Sequence, residues 1–208
     1  MDATPGDEVV AVGRRQRIRR WLAERRLRQW WKAGVAAILA VAALFGGLDT
    51  VDTKVTPFKI GEEFSDGQFA VTIERASLTE QVRGAGRVLG PKTPGRRYLG
   101  VVAMLRNDGT VPGRLRNELD LRGVPGEEFF GVFRFHDGSS IQTLGPDLTE
   151  QLVFIWLVPT DALTPGDTAT VRIWKKTYTQ LMVAYGGKEW IDSPTDYGLI
   201  EVPVGATS

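Results

Sequence analysis

A run of basic residues that leads directly into an uncharged apolar segment constrains this chain more than any other feature. Nine Arg and Lys residues lie within 14–32, and the segment 33–48 that follows carries no charge. A helix over residues 30–48 would be about 28 Å long, close to the thickness of a bilayer core of about 30 Å. The pattern therefore predicts a single transmembrane helix over 33–49.

The charges on the two sides of this span predict its orientation. Basic residues precede it, whereas Asp49 and Asp52 follow it, so we expect the N-terminus inside the cell and the C-terminus outside, with the protein in the plasma membrane. The residues expected at the membrane interface are Arg25, Arg26, Arg28, Trp30, Trp31 and Lys32. The small residues expected to allow close packing against another helix are Gly34, Ala36, Ala40, Gly46 and Gly47.

A cleaved signal peptide is the alternative interpretation, because it also has a basic start and an apolar core. The basic run here is long and contains three Trp residues, and no small-x-small motif ends the apolar segment. We therefore expect an uncleaved anchor. Residues 14–32 are predicted to form a basic amphipathic helix on the inner leaflet, either as a topology signal or as a docking element for a cytoplasmic partner or lipid. Residues 1–13 are predicted to be a disordered cytoplasmic tail.

The charge balance and the absence of cysteine limit the chemistry of the exported part. Residues 49–208 carry a net charge of −4, against +5 for residues 1–48. A chain without cysteine has no disulfide, no thiol nucleophile and no thiolate metal site. We do not expect nucleic-acid binding, because the basic run lies next to the membrane.

Alternating apolar residues and regularly spaced turns predict an all-β domain over 58–208, after a linker at 50–57. The predicted strands are 68–74, 98–105, 129–135, 148–158, 168–176 and an edge strand at 199–204. Residues 177–185 fit a strand or a helix equally well. Seven to nine short strands of this kind favour a sandwich of two sheets, with the last residues as a C-terminal extension.

One stretch resembles a known family. An apolar strand from Tyr98 is followed by Arg106-Asn107-Asp108-Gly109, Asp137-Gly138, Leu144-Gly145-Pro146-Asp147-Leu148-Thr149-Glu150, Leu152-Val153-Phe154 and Val158-Pro159. This layout resembles the DUF4352-type immunoglobulin-like domain of exported bacterial proteins, although the glycine before the last strand of that pattern is missing. The resemblance covers about 60 of the 208 residues. It implies an immunoglobulin-like β-sandwich on a lipid or single-span anchor, and no shared catalytic residues.

The segment 83–97 is the most distinctive candidate binding site, because it combines basic residues with glycine and proline and contains no acid. Its basic residues are Arg83, Arg87, Lys92, Arg96 and Arg97. Guanidinium groups pair well with phosphate and carboxylate, so the segment could bind an anionic envelope polymer, a lipid headgroup or an acidic protein surface. Long loops without secondary structure are often functional. The alternative is a solvated connection between two strands.

Aromatic residues near the C-terminus form a second candidate site. Trp174, Tyr178 and Trp190 could stack on a sugar or anchor a protein partner. Alternatively, they pack the C-terminal extension against the sandwich.

The remaining polar candidates fit ordinary turn chemistry. His136 is the only histidine, and His136-Asp137-Gly138 has the composition of a hairpin turn. Asp66, Asp108, Asp147 and Asp167 also stand in turn-like contexts. We therefore predict no catalytic residue, no metal ligand and no cofactor.

These features predict a non-catalytic accessory subunit of a larger membrane complex, such as an exporter, a secretion apparatus or an envelope-synthesis machine. The subunit would contact that complex through its transmembrane helix and its extracytoplasmic sandwich. The alternative is a free-standing module that binds an anionic envelope glycan, a lipid or a protein.

Overall fold

Strands make up the regular structure of the described part of the chain. The structure is a computed structural model that describes residues 53–84, 86–180 and 187–206. The predicted tail, juxtamembrane helix and transmembrane helix, with their interface and packing residues, lie outside these ranges. Within them, no helix is long and apolar enough to cross a membrane.

Thirteen strands are assigned in the described residues. They are β1 (Lys54–Pro57), β2 (Glu63–Ser65), β3 (Phe69–Thr79), β4 (Val82–Gly84), β5 (Arg87–Gly90), β6 (Arg96–Asn107), β7 (Gly113–Arg114), β8 (Asp120–Arg122), β9 (Glu128–Arg134), β10 (Thr143–Leu144), β11 (Thr149–Pro159), β12 (Thr168–Gln180) and β13 (Lys188–Ala206).

The long strand β13 connects the two layers of a β-sandwich. Most of its length pairs antiparallel with β12, and β8 lies beyond β12. Its last residues, Val204–Ala206, pair in parallel with β3. The second layer continues from β3 through β6 and β11 to β9, and β2 pairs with β3. The predicted sandwich is therefore confirmed, with β13 shared between its layers.

The core lies between these layers, and the alternation of apolar residues in β3 determines which side chains of this strand are buried in it. Phe69, Val71 and Ile73 are fully buried, as the sequence pattern predicts. On the outer face of the second layer, Val82, Tyr98 and Ile155 form a smaller apolar cluster. The short hairpin of β4 and β5 packs over this outer face, because Leu89 contacts the same cluster.

Two predictions at the ends of the domain were wrong. The linker predicted at 50–57 contains β1, which pairs in parallel with Asp196–Leu199 of β13. The edge strand predicted at 199–204 is too short: it is part of β13, which pairs in parallel with β1 up to Leu199 and with β3 from Val204, whereas Ile200–Pro203 pair only with β12. Both errors have one cause: a parallel pairing of distant segments leaves no local signal in the sequence.

The segment 83–97 also differs from the predicted structureless loop. It contains part of β4, the whole of β5 and the start of β6. Val82 and Leu89 supply the apolar contact that holds this hairpin on the sheet. Its basic side chains are carried by strands and tight turns.

Candidate functional site

A buried cluster of three charged side chains lies at one end of the sandwich. The ammonium of Lys176 contacts Asp66 Oδ2 and lies 2.5 Å from Glu118 Oε2. Asp66 is 0% exposed and Glu118 1%. Burial of ionised groups is costly unless they are paired and hydrogen-bonded. We call Asp66, Glu118 and Lys176 the acid–lysine cluster.

A break in the pairing of β12 with β13 lies where Lys176 points into the protein. Val171 and Ile173 face the core, and regular alternation would place Lys175 inward next. Trp174 pairs with Tyr197 but Lys176 pairs with Asp192, so the bulge has three extra residues on the β13 side, and Lys176 is the buried lysine. Lys175 instead lies over the ring of Phe64, 4.4 Å from its centroid.

A tight turn presents Asp66 to this lysine. Asp66 Oδ1 accepts backbone N–H groups from Gln68 at 2.7 Å and Phe69 at 2.5 Å. Lys176 N–H donates to the carbonyl of Asp66 at 2.5 Å. Gly67 makes this approach feasible, because its φ is +113° and a Cβ there would lie 2.5 Å from the carbonyl oxygen of Lys176.

Glu118 is the unusual member of the cluster. Its Oε1 is buried and has no hydrogen-bond partner among the described residues. Burial raises the pKa of Glu118 well above its ordinary value, and the nearby Asp66 adds to this increase against the opposing effect of Lys176. Burial alone would lower the pKa of Lys176, but the attraction of Glu118 and Asp66 raises it overall. A protonated Glu118 leaves the cluster with one positive and one negative charge.

A cavity of about 570 Å³ opens beside this cluster. We call it the Glu118 pocket. Glu118 and Lys176 line it together with Gln68, Arg116, Trp190 and Asp192. The pKa of the Asp192 carboxyl is also raised, mainly by burial. The volume falls within the range of small-molecule sites, about 300 to 1,000 Å³.

Asn107 holds the loop on one side of the pocket. Its side-chain amide donates to the carbonyls of Val111 and Leu144, and its Oδ1 accepts the N–H of Gly109. This fully buried side chain therefore fixes the segment that carries the pocket residues 111–114. Gly113 is required there, because a Cβ would lie 2.1 Å from Cζ of Phe69.

The wall and rim of the pocket carry further polar groups without partners. The indole Nε1 of Trp190 is buried and has no hydrogen-bond partner in the described part of the chain. Arg114 and Arg116 are exposed on the rim. Within residues 53–84, 86–180 and 187–206, neither guanidinium pairs with a carboxylate. The pocket thus offers cations at its entrance and hydrogen-bonding groups at its base.

The structure brings one predicted aromatic residue into the pocket and places two others nearby. Trp190 is part of the wall, and Tyr178 packs on it with ring centroids 5.1 Å apart. Trp174 lines a neighbouring cavity of about 340 Å³ and packs edge-on against Tyr197. The guanidinium of Arg172 lies 3.7 Å from the centroid of the Trp174 ring.

The predicted basic residues do not line the pocket. Arg97 lies near the start of β6 and Asn107 at its end, a separation of roughly 34 Å at about 3.4 Å per residue. Lys92 pairs with Glu80 at 2.5 Å, and Arg96 lies 3.6 Å from Glu128. Arg83 donates to the side chain of Gln81 at 2.9 Å, and Arg87 is exposed on β5.

The turn predictions hold for His136 and its neighbours. Asp137 Oδ1 accepts the N–H of Ser139 at 2.8 Å, and this hydrogen bond lowers the pKa of Asp137. Asp167 accepts the N–H of Thr164 in the same manner. Among the described residues, no three His, Asp or Glu side chains form a group suited to a metal ion.

Sequence reasoning missed most residues of the pocket. Asp66 was assigned only to a turn, and Glu118, Lys176, Asp192, Arg114 and Arg116 were not identified. The one available signal was the pair Lys175-Lys176 inside a predicted strand, since alternation places one of two consecutive lysines inward. A charge in that position requires a buried acid, but the sequence does not indicate which one.

Comparisons with known proteins assign neither a family nor a function to the chain. No protein-family model matches the chain, and no curated protein does. An uncharacterized β-sandwich protein from Clostridium difficile 630 is similar in structure, with 12% sequence identity and a TM-score of 0.49 over 74% of this chain and 97% of that protein. A conserved hypothetical protein from Bacillus anthracis has 15% identity and a TM-score of 0.35 over 65% of this chain and 95% of that protein. The DUF4352 resemblance stays a prediction.

Proposed function

We propose that this chain is a membrane-anchored, non-catalytic binding protein whose extracytoplasmic, immunoglobulin-like sandwich takes its ligand in the Glu118 pocket. The observation that carries the proposal is a cavity of about 570 Å³ that is lined by the buried Glu118 and the largely buried Lys176 and bordered by the exposed Arg114 and Arg116. Concave sites of this size with a few convergent polar groups are the usual form of a ligand site.

The acid–lysine cluster itself favours a binding role. Breaking a buried ion pair is costly, whereas replacing the whole group by apolar residues is often neutral or stabilising. A cluster kept only for stability has no need of an adjacent cavity. The pocket beside Glu118 and Lys176 supplies a reason to keep polar groups at this end of the sandwich.

The composition of the pocket lining supports a role without catalysis. It contains no serine, threonine, cysteine or histidine among the described residues. Lys176 is held by Asp66 and Glu118 and has a raised pKa, so it is a protonated ligand-binding group and not a nucleophile.

Ligand capture by full-length protein in lipid nanodiscs tests this proposal. Immobilised protein would be exposed to the glycan, lipid and protein fractions of the host cell envelope. The wild type would be compared with the double variant Arg114→Glu/Arg116→Glu at the pocket and with Arg83→Glu/Arg87→Glu at the β4–β5 hairpin. All four arginines are described and exposed or half-buried, so both variants should stay folded.

We expect the pocket variant to lose capture of one fraction and the hairpin variant to keep it. The reverse result would move the site to the basic hairpin, as the sequence predicted. Equal capture by all three proteins would overturn the proposed site.

A second candidate function, the accessory subunit of a membrane complex, is favoured by a different observation. Beyond the sandwich, Lys176–Gln180 of β12 pairs with Lys188–Asp192 of β13. This two-stranded arm has no further strand neighbour among the described residues. It exposes Ile191, which is 42% accessible. Such an arm offers strand edges and apolar surface to a protein partner.

Purification from membranes in a mild detergent tests this second candidate. A stoichiometric membrane protein that copurifies with the full-length chain, and is lost when Ile191→Asp is introduced, would support the accessory role. Ile191→Val, which keeps the apolar surface, is the matched control. A protein that purifies alone would exclude this role and leave the binding module.

A further inference from the structure

We infer that the ligand of the Glu118 pocket is an acidic sugar: a hydroxyl-rich ring that carries one carboxylate or phosphate. This inference rests on the proposed function and specifies the chemistry of its ligand.

The rim of the pocket selects for an anion. Arg114 and Arg116 are exposed beside the cavity, and neither has a carboxylate partner in the described part of the chain. Arg106 of this domain, by contrast, pairs with Glu63 and Asp108. A pair of free guanidinium groups is suited to a planar carboxylate or a phosphate.

The base of the pocket selects for hydroxyl groups. Glu118 and Asp192 contribute carboxyl groups to its lining. Gln68 and Asn117 add side-chain amides to the lining. Neighbouring hydroxyls of a sugar ring both donate and accept hydrogen bonds, so they satisfy carboxyl and amide groups together.

The wall of the pocket suits a sugar ring. Trp190 contributes an indole ring to the wall, and Tyr178 packs on this ring with centroids 5.1 Å apart. An indole can pack against the apolar face of a sugar.

Calorimetric titration of the full-length protein in nanodiscs tests this inference. The probes are glucuronic acid, glucose 6-phosphate and glucose, which share a ring and differ in charge. The variant Arg116→Ala removes one rim cation. Arg75→Ala is the matched control, because Arg75 is an exposed arginine on β3 that contacts Glu74 and the ring of Phe135.

We expect at least one acidic sugar to bind, glucose to bind about tenfold more weakly, and Arg116→Ala to lower the affinity about tenfold. Arg75→Ala should have no effect. The stronger of the two acidic probes identifies the anion as carboxylate or phosphate.

Other outcomes overturn the inference in distinguishable ways. Equal binding of glucose and the acidic sugars would exclude anion selection at the rim. No sugar binding, together with capture of another envelope component that depends on Arg114 and Arg116, would reject the acidic sugar and retain the proposed pocket. No sugar binding and no dependence on these arginines would reject both.

Discussion

At the scale of single residues, Lys176 determines whether the acids around it can remain buried. Its ammonium is shared by Asp66 and Glu118, which are both almost inaccessible to water. The carboxylate of Asp66 also accepts two backbone N–H groups, so its turn and the lysine depend on each other.

Replacing Lys176 by Met should destabilise the domain by about 3 to 5 kcal/mol, because an uncompensated carboxylate would remain buried. Urea unfolding followed by tryptophan fluorescence measures the change. Lys175→Met is the matched control, since the neighbouring side chain lies outside the cluster and should change the free energy of unfolding by about 1 kcal/mol or less. Equal effects of the two variants would show that the cluster has no special role.

Glu118→Gln should remove a specific dependence of stability on pH. Because its pKa is raised, Glu118 keeps its proton to a higher pH in the folded state than in the unfolded state. Its contribution to the free energy of unfolding is therefore fully present below the ordinary pKa of 4.5. That contribution is lost as the pH rises through the pKa of Glu118 in the folded state. The wild type should therefore lose stability relative to Glu118→Gln as the pH rises above 4.5, because glutamine cannot ionise.

Unfolding free energies of both proteins across this pH range measure the difference. The titratable groups that act on Glu118 are Asp66 and Lys176, and the exposed Asp192 lines the same pocket. Asp192 also has a raised pKa, so the comparison should be repeated in an Asp192→Asn background. Parallel pH profiles for the wild type and Glu118→Gln in that background would contradict the assignment of the proton to Glu118.

At the scale of the elements, one bulge and one turn build the floor of the pocket. Lys176 points inward at the bulge between β12 and β13, and the turn before β3 places Asp66 against it. Gly67 allows these two backbones to meet, because only glycine fits both the positive φ and the space.

Gly67→Ala should therefore destabilise the domain more than Gly61→Ala. Both glycines have positive φ, but a Cβ at Gly61 would meet nothing within 4 Å, whereas at Gly67 it would lie 2.5 Å from Lys176 O. We expect about 1 to 2 kcal/mol for the conformational cost at Gly61 and a larger loss at Gly67. Thermal unfolding of the two variants gives the comparison, and equal losses would mean that the close approach is unimportant.

The same elements show what the sequence could predict and why. The strands around Val71, Leu99 and Phe154 were predictable, because their alternation follows directly from burial of one face. The pairing of β1 with β13 was not predictable, because it joins segments more than 100 residues apart. The bulge was equally hidden, and with it the direction of Lys176 and the position of the pocket.

At the scale of the whole molecule, the two candidate functions differ in what they require of the predicted anchor. The apolar segment 33–48 would be replaced by an unrelated apolar span of equal length. Capture of a pocket ligand should persist, because every residue of the Glu118 pocket lies between residues 68 and 192, after the replaced segment. Copurification of a membrane partner should be lost if the helix of this segment contacts that partner. Loss of ligand capture after the swap would contradict a pocket that works independently of the anchor.

The most direct test of the pocket is the indole N–H resonance of Trp190 during titration of the full-length, ¹⁵N-labelled protein in detergent with glucuronic acid. Trp190→Phe assigns the resonance, and Trp156, which is 3% exposed in the core, is the internal reference. A ligand that packs on Trp190 in the pocket should shift this resonance in a saturable manner, while Trp156 stays unchanged. A Trp190 resonance that stays unchanged with both glucuronic acid and glucose 6-phosphate would contradict an acidic sugar in the Glu118 pocket.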